Sequence, residues 1–178
     1  STAQSGILED MPRLDYSGGA SCPSLLLEPQ RTNLHQRSEY IDDWTSRSSS
    51  VNVVTTQNYT TSPEGYQNAT RIEFNDTGWM HGGLAQTNGT KYTISCYAKR
   101  NDSGTQTFAL FYNGSGGLDV PLALTNEWKR FDFTYTASNA STMGFAGASG
   151  ADVSVYGFQV ETGSYPTSYI PTYGTSVT

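Results

Sequence analysis

The chain has 178 residues, of which 35% are hydrophobic, 12% aromatic and 15% charged, and its net charge is −6. A chain of this length buries about 70% of its unfolded surface, so one domain over residues 1–178 is predicted. Its 10 scattered Lys and Arg residues exclude a nucleic-acid partner, which requires a clustered basic surface. No apolar run approaches the roughly 18 residues of a membrane span.

The N-terminal segment lacks a regular hydrophobic period. Residues 1–24 contain two prolines and a Gly-Gly pair, which predicts an extended arm with turns ahead of a domain at 25–178. The stretch SLLLEP then predicts a short buried strand that ends at Pro29. SEYIDDWTS predicts either one helical turn or an irregular loop that carries Trp44 inward. Because the chain begins with Ser1, we expect it to be a piece of a longer protein.

A regular strand pattern begins after residue 50. Short segments rich in β-branched and aromatic residues are separated by turn sequences such as NDTG, TNGT and NDSG. No segment of ten residues keeps a period of 3.6, so crossover helices are excluded. The pattern predicts an all-β fold, an antiparallel β-sandwich of jelly-roll type. The segments lie at residues 51–56, 69–74, 79–86, 91–99, 105–112, 118–124, 127–137, 142–147 and 152–161.

Alternation along each strand predicts which side chains face the core. The inward set comprises Tyr92, Ile94, Cys96 and Ala98 in one strand and Phe131, Phe133 and Tyr135 in another. In TFALFY both faces are apolar, so Phe111 must be covered or must bind something. Cys22 and Cys96 are too few for a disulfide scaffold, and we expect free thiols, with Cys96 buried as a small hydrophobe.

Several stretches together resemble a known family of viral modules. They are PRLDYSGGASCPSLLLEPQRTNL (12–34), SEYIDDWT (38–45), TTSPEGYQNATRI (60–72), KYTISCYAKR (91–100), WKRFDFTYTA (128–137) and YGFQVETGSYPTSYIPTYGTSVT (156–178). They resemble the jelly-roll, carbohydrate-binding-module-like domain of tail and head fibre proteins in phages and prophages. LLLEPQRTNL and GSYPTSYIPT are its most specific parts, and we call the stretches around them the marker segments.

The resemblance implies a module on the virion surface, outside the cell, with a cell-surface glycan or polysaccharide as its partner. It also implies a homo-oligomer, a trimer, within a fibre. Residues Glu28, Arg31 and Asn33 of the first marker segment are predicted to be structural, because charged residues in a turn usually serve local geometry. The N-terminal arm and the C-terminal tail are predicted to pack side by side.

Sugar binding requires a flat aromatic ring for the apolar face of a pyranose, together with polar side chains for the hydroxyls. Trp79 and His81 share one strand face beside Gly82 and Gly83, which leave open space. The full predicted set of ligand-binding residues is Trp79, His81, Tyr97, Lys99, Phe111, Arg71, Asp132 and Gln159.

Structural roles for the same residues stay open at this point. Trp79 is equally well explained as a third core tryptophan beside Trp44 and Trp128, and a neighbouring chain could cover Tyr97 and Phe111. A trimerisation or capsid-decoration module without glycan binding is therefore the alternative function.

An enzyme is the third interpretation, a polysaccharide-degrading one. The usual catalytic motifs are missing, and His35, one of only two histidines, is expected at the surface. Scattered carboxylates would have to pair about 5 to 10 Å apart to cleave a glycosidic bond. These are Asp42, Asp43, Asp76, Asp119 and Asp132. No cofactor is expected, apart from a structural calcium ion for which EYIDDW and NDTG offer carboxylates.

Overall fold

The computed structural model describes residues 14–15, 24–25, 28–44, 46–47, 52–112 and 119–178. Within these ranges the chain is almost entirely β-structure, with a single 3-10 turn at Ile41–Asp43. That turn leads into Trp44, which is 1% exposed, so the predicted inward course of this tryptophan is confirmed. Most of the predicted arm over residues 1–24 falls outside the described residues. None of the described helical structure has the length and apolarity of a membrane span.

The described strands form two large antiparallel sheets and one small one. Sheet I has the order β10-β7-β12-β5-β4, sheet II has the order β3-β6-β11-β8-β9, and β1 pairs with β2. The predicted all-β antiparallel sandwich is confirmed. The bounds are β1 Leu14–Asp15, β2 Ser24–Leu25, β3 Ser46–Arg47, β4 Val53–Thr60, β5 Ala69–Phe74, β6 Gly78–Ala85, β7 Lys91–Arg100, β8 Phe108–Phe111, β9 Val120–Pro121, β10 Lys129–Thr136, β11 Thr142–Gly147 and β12 Asp152–Thr162.

Two predicted strands are much shorter than expected. The segment 105–112 keeps only the four residues of β8, and 118–124 keeps only the two residues of β9. β9 is the edge strand of sheet II and ends at Pro121, which pairs with Ala109. Proline has no N–H to donate to a ladder, so it is tolerated at an edge and limits the length of the strand there.

The core lies between the inner faces of the two sheets. Tyr92, Ile94, Cys96 and Ala98 of β7 are all buried, as the alternation predicted. Trp44 stacks on Phe145 of β11 at 5.4 Å. Burying a large apolar side chain contributes about 1.5 to 3 kcal/mol, so this inner layer supplies most of the favourable energy. Cys96 is a free thiol, and burial raises its pKa to about 12, which keeps it protonated.

Residues 33–38, at the end of the first marker segment and just after it, complete sheet I beside β12. The pairing of β12 with β5 runs only from Asp152 to Val155. Farther along β12, the Phe158 N–H donates to the Ser38 carbonyl at 3.2 Å and the Leu34 N–H donates to the Val160 carbonyl at 2.8 Å. Residues 33–38 therefore take over the edge of β12 that β5 leaves.

The second marker segment packs along residues 33–38, whereas the predicted packing of the arm against the tail falls mostly outside the described residues. Asn33 pairs with Val177 in an antiparallel bridge. Its side-chain N–H donates to the Ile170 carbonyl at 2.8 Å, and its Oδ1 accepts the Val160 N–H at 3.1 Å. Thr172 Oγ1 donates to the His35 carbonyl at 2.6 Å. We call residues 33–38 and 170–177 the clasp.

The other two marker residues also make structural contacts with the end of the chain. Arg31 donates to the Thr162 carbonyl. Glu28 accepts the Ser168 N–H at 2.8 Å. Together with the clasp, these bonds explain why the first marker segment has a specific sequence.

The predicted surface position of His35 is wrong. The residue is 2% exposed, and its ring packs 4.7 Å from Trp44 and 5.1 Å from Phe158. It is buried because the clasp lies across β12 instead of running through solvent. Its Nδ1 accepts the Arg37 N–H at 3.3 Å, whereas its Nε2 has no hydrogen-bond partner. Burial, assisted by the charge of Arg37, lowers the pKa of His35 from its ordinary 6.5 to about 4.

This lowered pKa predicts an acid-sensitive fold. Folding favours the neutral imidazole, so the stabilisation is complete above pH 6.5 and is lost as the pH falls toward 4. Between pH 7 and pH 5, where most carboxylates stay ionised, the wild type should lose about 2 kcal/mol of unfolding free energy. Urea unfolding at the two pH values measures the loss. In His35→Asn most of the loss should disappear, and an unchanged loss in that variant would contradict the assignment.

Candidate functional site

Strand β6 presents two aromatic side chains on the outer face of sheet II. Because side chains alternate along a strand, burial of Met80 in the core directs Trp79 and His81 outward. Their rings stack with centroids 5.2 Å apart and planes only 8° from parallel. Both side chains are half-buried. The predicted shared face of these two residues is confirmed, and the alternative that Trp79 lies in the core is excluded.

A third ring joins them from across the sheet. Phe111 of β8 lies 6.1 Å from Trp79 with planes 16° apart. Strand β11 separates β6 from β8, and its residues opposite these rings are Gly144 and Ala146. Because neither carries a side chain larger than a methyl group, the rings can meet above β11. We call Trp79, His81 and Phe111 the aromatic platform.

The three platform residues are not equally accessible. Phe111 is 2% exposed, so it backs the platform and does not face solvent. In TFALFY both strand faces are apolar, and Phe111 was expected to be covered or to bind something. The structure shows that the chain itself covers Phe111. The accessible part of the platform is formed by Trp79 and His81.

The protonation of His81 follows from its local geometry. Its Nδ1 accepts the Gly83 N–H at 3.2 Å, which places the proton of the neutral ring on Nε2. Burial lowers the pKa of His81 below its ordinary value. At neutral pH the ring is therefore mostly uncharged, and it lies nearly parallel to the ring of Trp79.

Gly82 and Gly83, which lie beside the platform, are required to be glycine by different structural constraints. At Gly83, φ is +83°, and a Cβ there would have no atom within 4 Å, so the space is open. At Gly82 a Cβ would lie 1.9 Å from Nε2 of His35 and 3.1 Å from the ring of Trp44. His35 of the clasp thus packs directly against the inner side of β6, the strand that carries Trp79 and His81. The sequence signal for this contact was a glycine inside a strand, which marks a close approach.

Four of the remaining candidates lie on the opposite side of the sandwich, on the outer face of sheet I. Arg71 donates two hydrogen bonds to Asp152, at 2.9 and 2.6 Å, and lies 3.0 Å from Glu73. The hydrogen bonds to Asp152 raise the pKa of Arg71 and lower that of Asp152. This guanidinium is therefore held in a structural ion pair between β5 and β12.

The neighbouring candidates on this face are held by cation–π contacts. Lys99 Nζ lies 5.2 Å from the ring of Trp128, and Arg130 lies 5.7 Å from the ring of Tyr97. Asp132 is exposed. The expectation that Trp128 is a core residue is wrong, because it is half-buried and its indole N–H donates to the Thr61 carbonyl at 2.9 Å. It lies just before β10, at an edge of sheet I.

Gln159 is not available to a ligand, contrary to prediction. It is 0% exposed, its Nε2 donates to Glu161 at 2.7 Å and its Oε1 accepts the Ile170 N–H at 2.7 Å. A bulge interrupts the pairing of β12 between Tyr156 and Gln159, and the second marker segment covers the strand beyond it. Its role is therefore to hold the end of the chain on sheet I.

The carboxylates proposed for catalysis or calcium binding have local partners instead. Asp43 lies 3.4 Å from Arg37. Asp76 Oδ1 accepts the Thr77 N–H at 2.7 Å, and Asp119 Oδ2 accepts the Tyr112 N–H at 2.8 Å. Among the described residues, no three His, Cys, Asp or Glu side chains are grouped so as to hold a metal ion. The calcium expectation gains no support from these turns.

Comparison with known proteins identifies the fold. No protein-family model matches the sequence, and no curated protein is significantly similar to it. One similar solved structure contains the CBM22-1-GH10 modules of a Clostridium thermocellum endo-1,4-beta-D-xylanase, complexed with xylohexaose. It shares 15% identity with this chain at a TM-score of 0.54, and the match covers 80% of this chain and 30% of that chain. The enzymatically active domain of bacteriophage CBA120 tailspike protein 4 matches with 13% identity and a TM-score of 0.50 over 73% of this chain and 21% of that chain.

A smaller protein matches over most of its own length. The xylan-binding CBM22-1 domain from Paenibacillus barcinonensis shares 11% identity with a TM-score of 0.47 over 74% of this chain and 92% of that chain. The chain adopts the antiparallel jelly-roll sandwich seen in carbohydrate-binding modules. It spans less than a third of the xylanase and tailspike chains.

The contact between Gly82 and His35 predicts a coupled effect on stability. Gly82→Ala would force its Cβ against a buried ring, and such overpacking costs about 1 to 3 kcal/mol. In a His35→Ala background the same substitution should cost much less, since the obstructing ring is gone. A double-mutant cycle by chemical denaturation measures the difference, and strictly additive effects would contradict the contact. Gly83→Ala, which meets open space, is the matched control and should be additive with His35→Ala.

Proposed function

We propose that the chain is a non-catalytic carbohydrate-binding module that holds a glycan against the aromatic platform. The observation that carries this proposal is the near-parallel stack of Trp79 and His81, half-exposed on the outer face of sheet II. A pyranose ring has an apolar face that packs on such a surface, while its hydroxyl groups need donors and acceptors at the rim.

The surroundings of the platform suit this role. His81 adds a polar group, the imidazole with its proton on Nε2, to the rim of the platform. The open space beside Gly83 lets a ligand approach the backbone. Phe111 and the clasp support the platform from behind, so its rings are ordered before a ligand arrives, and such preorganisation lowers the entropic cost of binding.

The fold supports the same class of function. Jelly-roll neighbours include a carbohydrate-binding module in a structure complexed with xylohexaose. That likeness is a likeness of fold, so which sugar this chain binds is left to experiment. Both histidines are explained without catalysis, since His35 is buried among aromatic rings and His81 belongs to the platform. A hydrolytic function therefore has no histidine base available to it.

We further propose that the module belongs to a phage fibre or similar virion appendage and meets glycans on the surface of a host cell. The marker segments support this setting, because their sequences resemble those of phage fibre modules and their clasp gives them a structural role. Trimerisation through Phe111 is less well supported, because that ring is already covered within a single chain.

Replacement of Trp79 tests the proposal. Trp79→Ala removes the larger ring of the stack and should weaken glycan binding at the platform at least tenfold, since 1.4 kcal/mol of lost stacking corresponds to that factor. A glycan array followed by isothermal titration of its best ligand provides the measurement. Incubation of the wild type with that ligand should release no reducing ends.

Trp128→Ala is the matched control, because it removes the same kind of side chain from the other side of the sandwich. It should leave affinity unchanged. Equal affinity of Trp79→Ala and wild type, with both variants folded by circular dichroism, would reject the platform as the binding site.

A further inference from the structure

A second group of aromatic side chains is exposed on the other side of the sandwich. The exposed large hydrophobic side chains of the described residues are all tyrosines, and two of them, Tyr40 and Tyr173, are 42% and 63% exposed. Their ring centroids lie 6.2 Å apart with planes at 72°. Two nearly perpendicular rings form a corner, in which one ring can stack on a flat ligand while the other borders its edge.

One carboxylate holds the tyrosines of this region in place. Oε1 of Glu39 accepts hydrogen bonds from three hydroxyls, those of Tyr156 at 3.1 Å, Tyr169 at 3.3 Å and Tyr173 at 3.1 Å. Tyr156 is 1% exposed and Tyr169 is half-buried, so the group runs from the interior to the surface. We call Glu39, Tyr40, Tyr156, Tyr169 and Tyr173 the tyrosine cluster. These bonds hold the rings of Tyr156, Tyr169 and Tyr173 in place, and Tyr40 packs against Tyr173, so the cluster is partly preorganised, as a binding site requires.

The cluster is acidic and keeps its hydroxyl protons. Burial, followed by the charge of Glu39, raises the pKa of Tyr173 to about 12, so this hydroxyl remains a donor at physiological pH. Burial raises the pKa of Tyr156, and the negative charges of Glu39 and Glu64 raise it further. In the described part of the chain, no Lys or Arg forms an ion pair with Glu39 or Glu64. Two carboxylates without a cation repel acidic ligands.

The tyrosine cluster is separate from the aromatic platform. Tyr156 projects from β12 on the outer face of sheet I, where its ring lies 6.3 Å from Tyr97 of β7. The platform projects from β6 and β8 on the outer face of sheet II. Because the hydrophobic core separates the two faces, one sugar residue cannot contact both.

We propose that the tyrosine cluster is a second carbohydrate-binding site, specific for sugars without acidic groups. The inference rests on the proposed function for its ligand class but uses different residues. The two exposed rings supply the stacking surface, and the Tyr173 hydroxyl oxygen, whose proton is donated to Glu39, supplies an acceptor at the polar rim. Two sites on opposite faces would let one module bridge two glycan chains or gain avidity on a dense glycan surface.

Isothermal titration with defined hexasaccharides tests the second site. The probes are hexamers of xylose, glucose, mannose and N-acetylglucosamine, with hexagalacturonate as the acidic probe. The wild type should bind two molecules of a neutral probe, and Trp79→Ala and Tyr173→Ala should each bind one. The double variant should bind none, and hexagalacturonate should not bind Trp79→Ala. Tyr173→Phe, which keeps the ring but loses the hydroxyl, should retain the site with reduced affinity.

The outcomes separate this inference from the proposed function. One bound molecule in the wild type, lost in Trp79→Ala and kept in Tyr173→Ala, would overturn the second site and leave the platform standing. One bound molecule that is lost only in Tyr173→Ala would support the second site and reject the platform. Binding of no probe by folded wild type overturns both. Tyr165→Ala, which replaces an exposed tyrosine beside Arg31 at the other end of β12, is the control and should bind like wild type.

Discussion

The small outer-face residues of β11 are the constraint on which the candidate site depends. Gly144 and Ala146 lie between β6 and β8, and a Cβ at Gly144 would lie 2.1 Å from the Met80 carbonyl oxygen. No larger side chain fits there without displacing the neighbouring strand. Because the outer-face side chains of β11 are no larger than a methyl group, Trp79 can approach Phe111 across it, with ring centroids 6.1 Å apart and planes 16° from parallel. The candidate site is therefore a group of near-parallel rings and not a single exposed tryptophan.

The described ends of the chain pack along sheet I. There the second marker segment turns back over β12, and its Thr167 and Ile170 N–H groups donate to the buried side chains of Glu161 and Gln159. The platform lies on the outer face of sheet II. His35 connects the two regions, since it belongs to the clasp and packs against Gly82 in the platform strand. The marker segments therefore support the site without contributing to its surface.

The sequence predicted what depends on local pattern and missed what depends on pairing. Alternation correctly placed Cys96 inside and Trp79 and His81 together on one face, because a strand fixes the direction of its own side chains. It could not show that Arg71 meets Asp152, 81 positions away, or that eight candidates divide between two faces. The burial of His35 was missed for the same reason, since Phe158, which packs on its ring, is distant in sequence. The burial of Gln159 was missed because strand alternation does not show that the chain turns back over β12 after that strand ends.

The indole N–H signals of the three tryptophans give the most direct test of the central claim, that glycans bind on the outer face of sheet II. Trp44 is buried, Trp79 belongs to the platform and Trp128 lies at the edge of sheet I, so each signal reports a different region. In a proton–nitrogen spectrum titrated with a bound oligosaccharide, the Trp79 signal should shift most in the wild type and should be absent from Trp79→Ala, which identifies it. A titration that shifts Trp128 and leaves Trp79 in place would contradict the account.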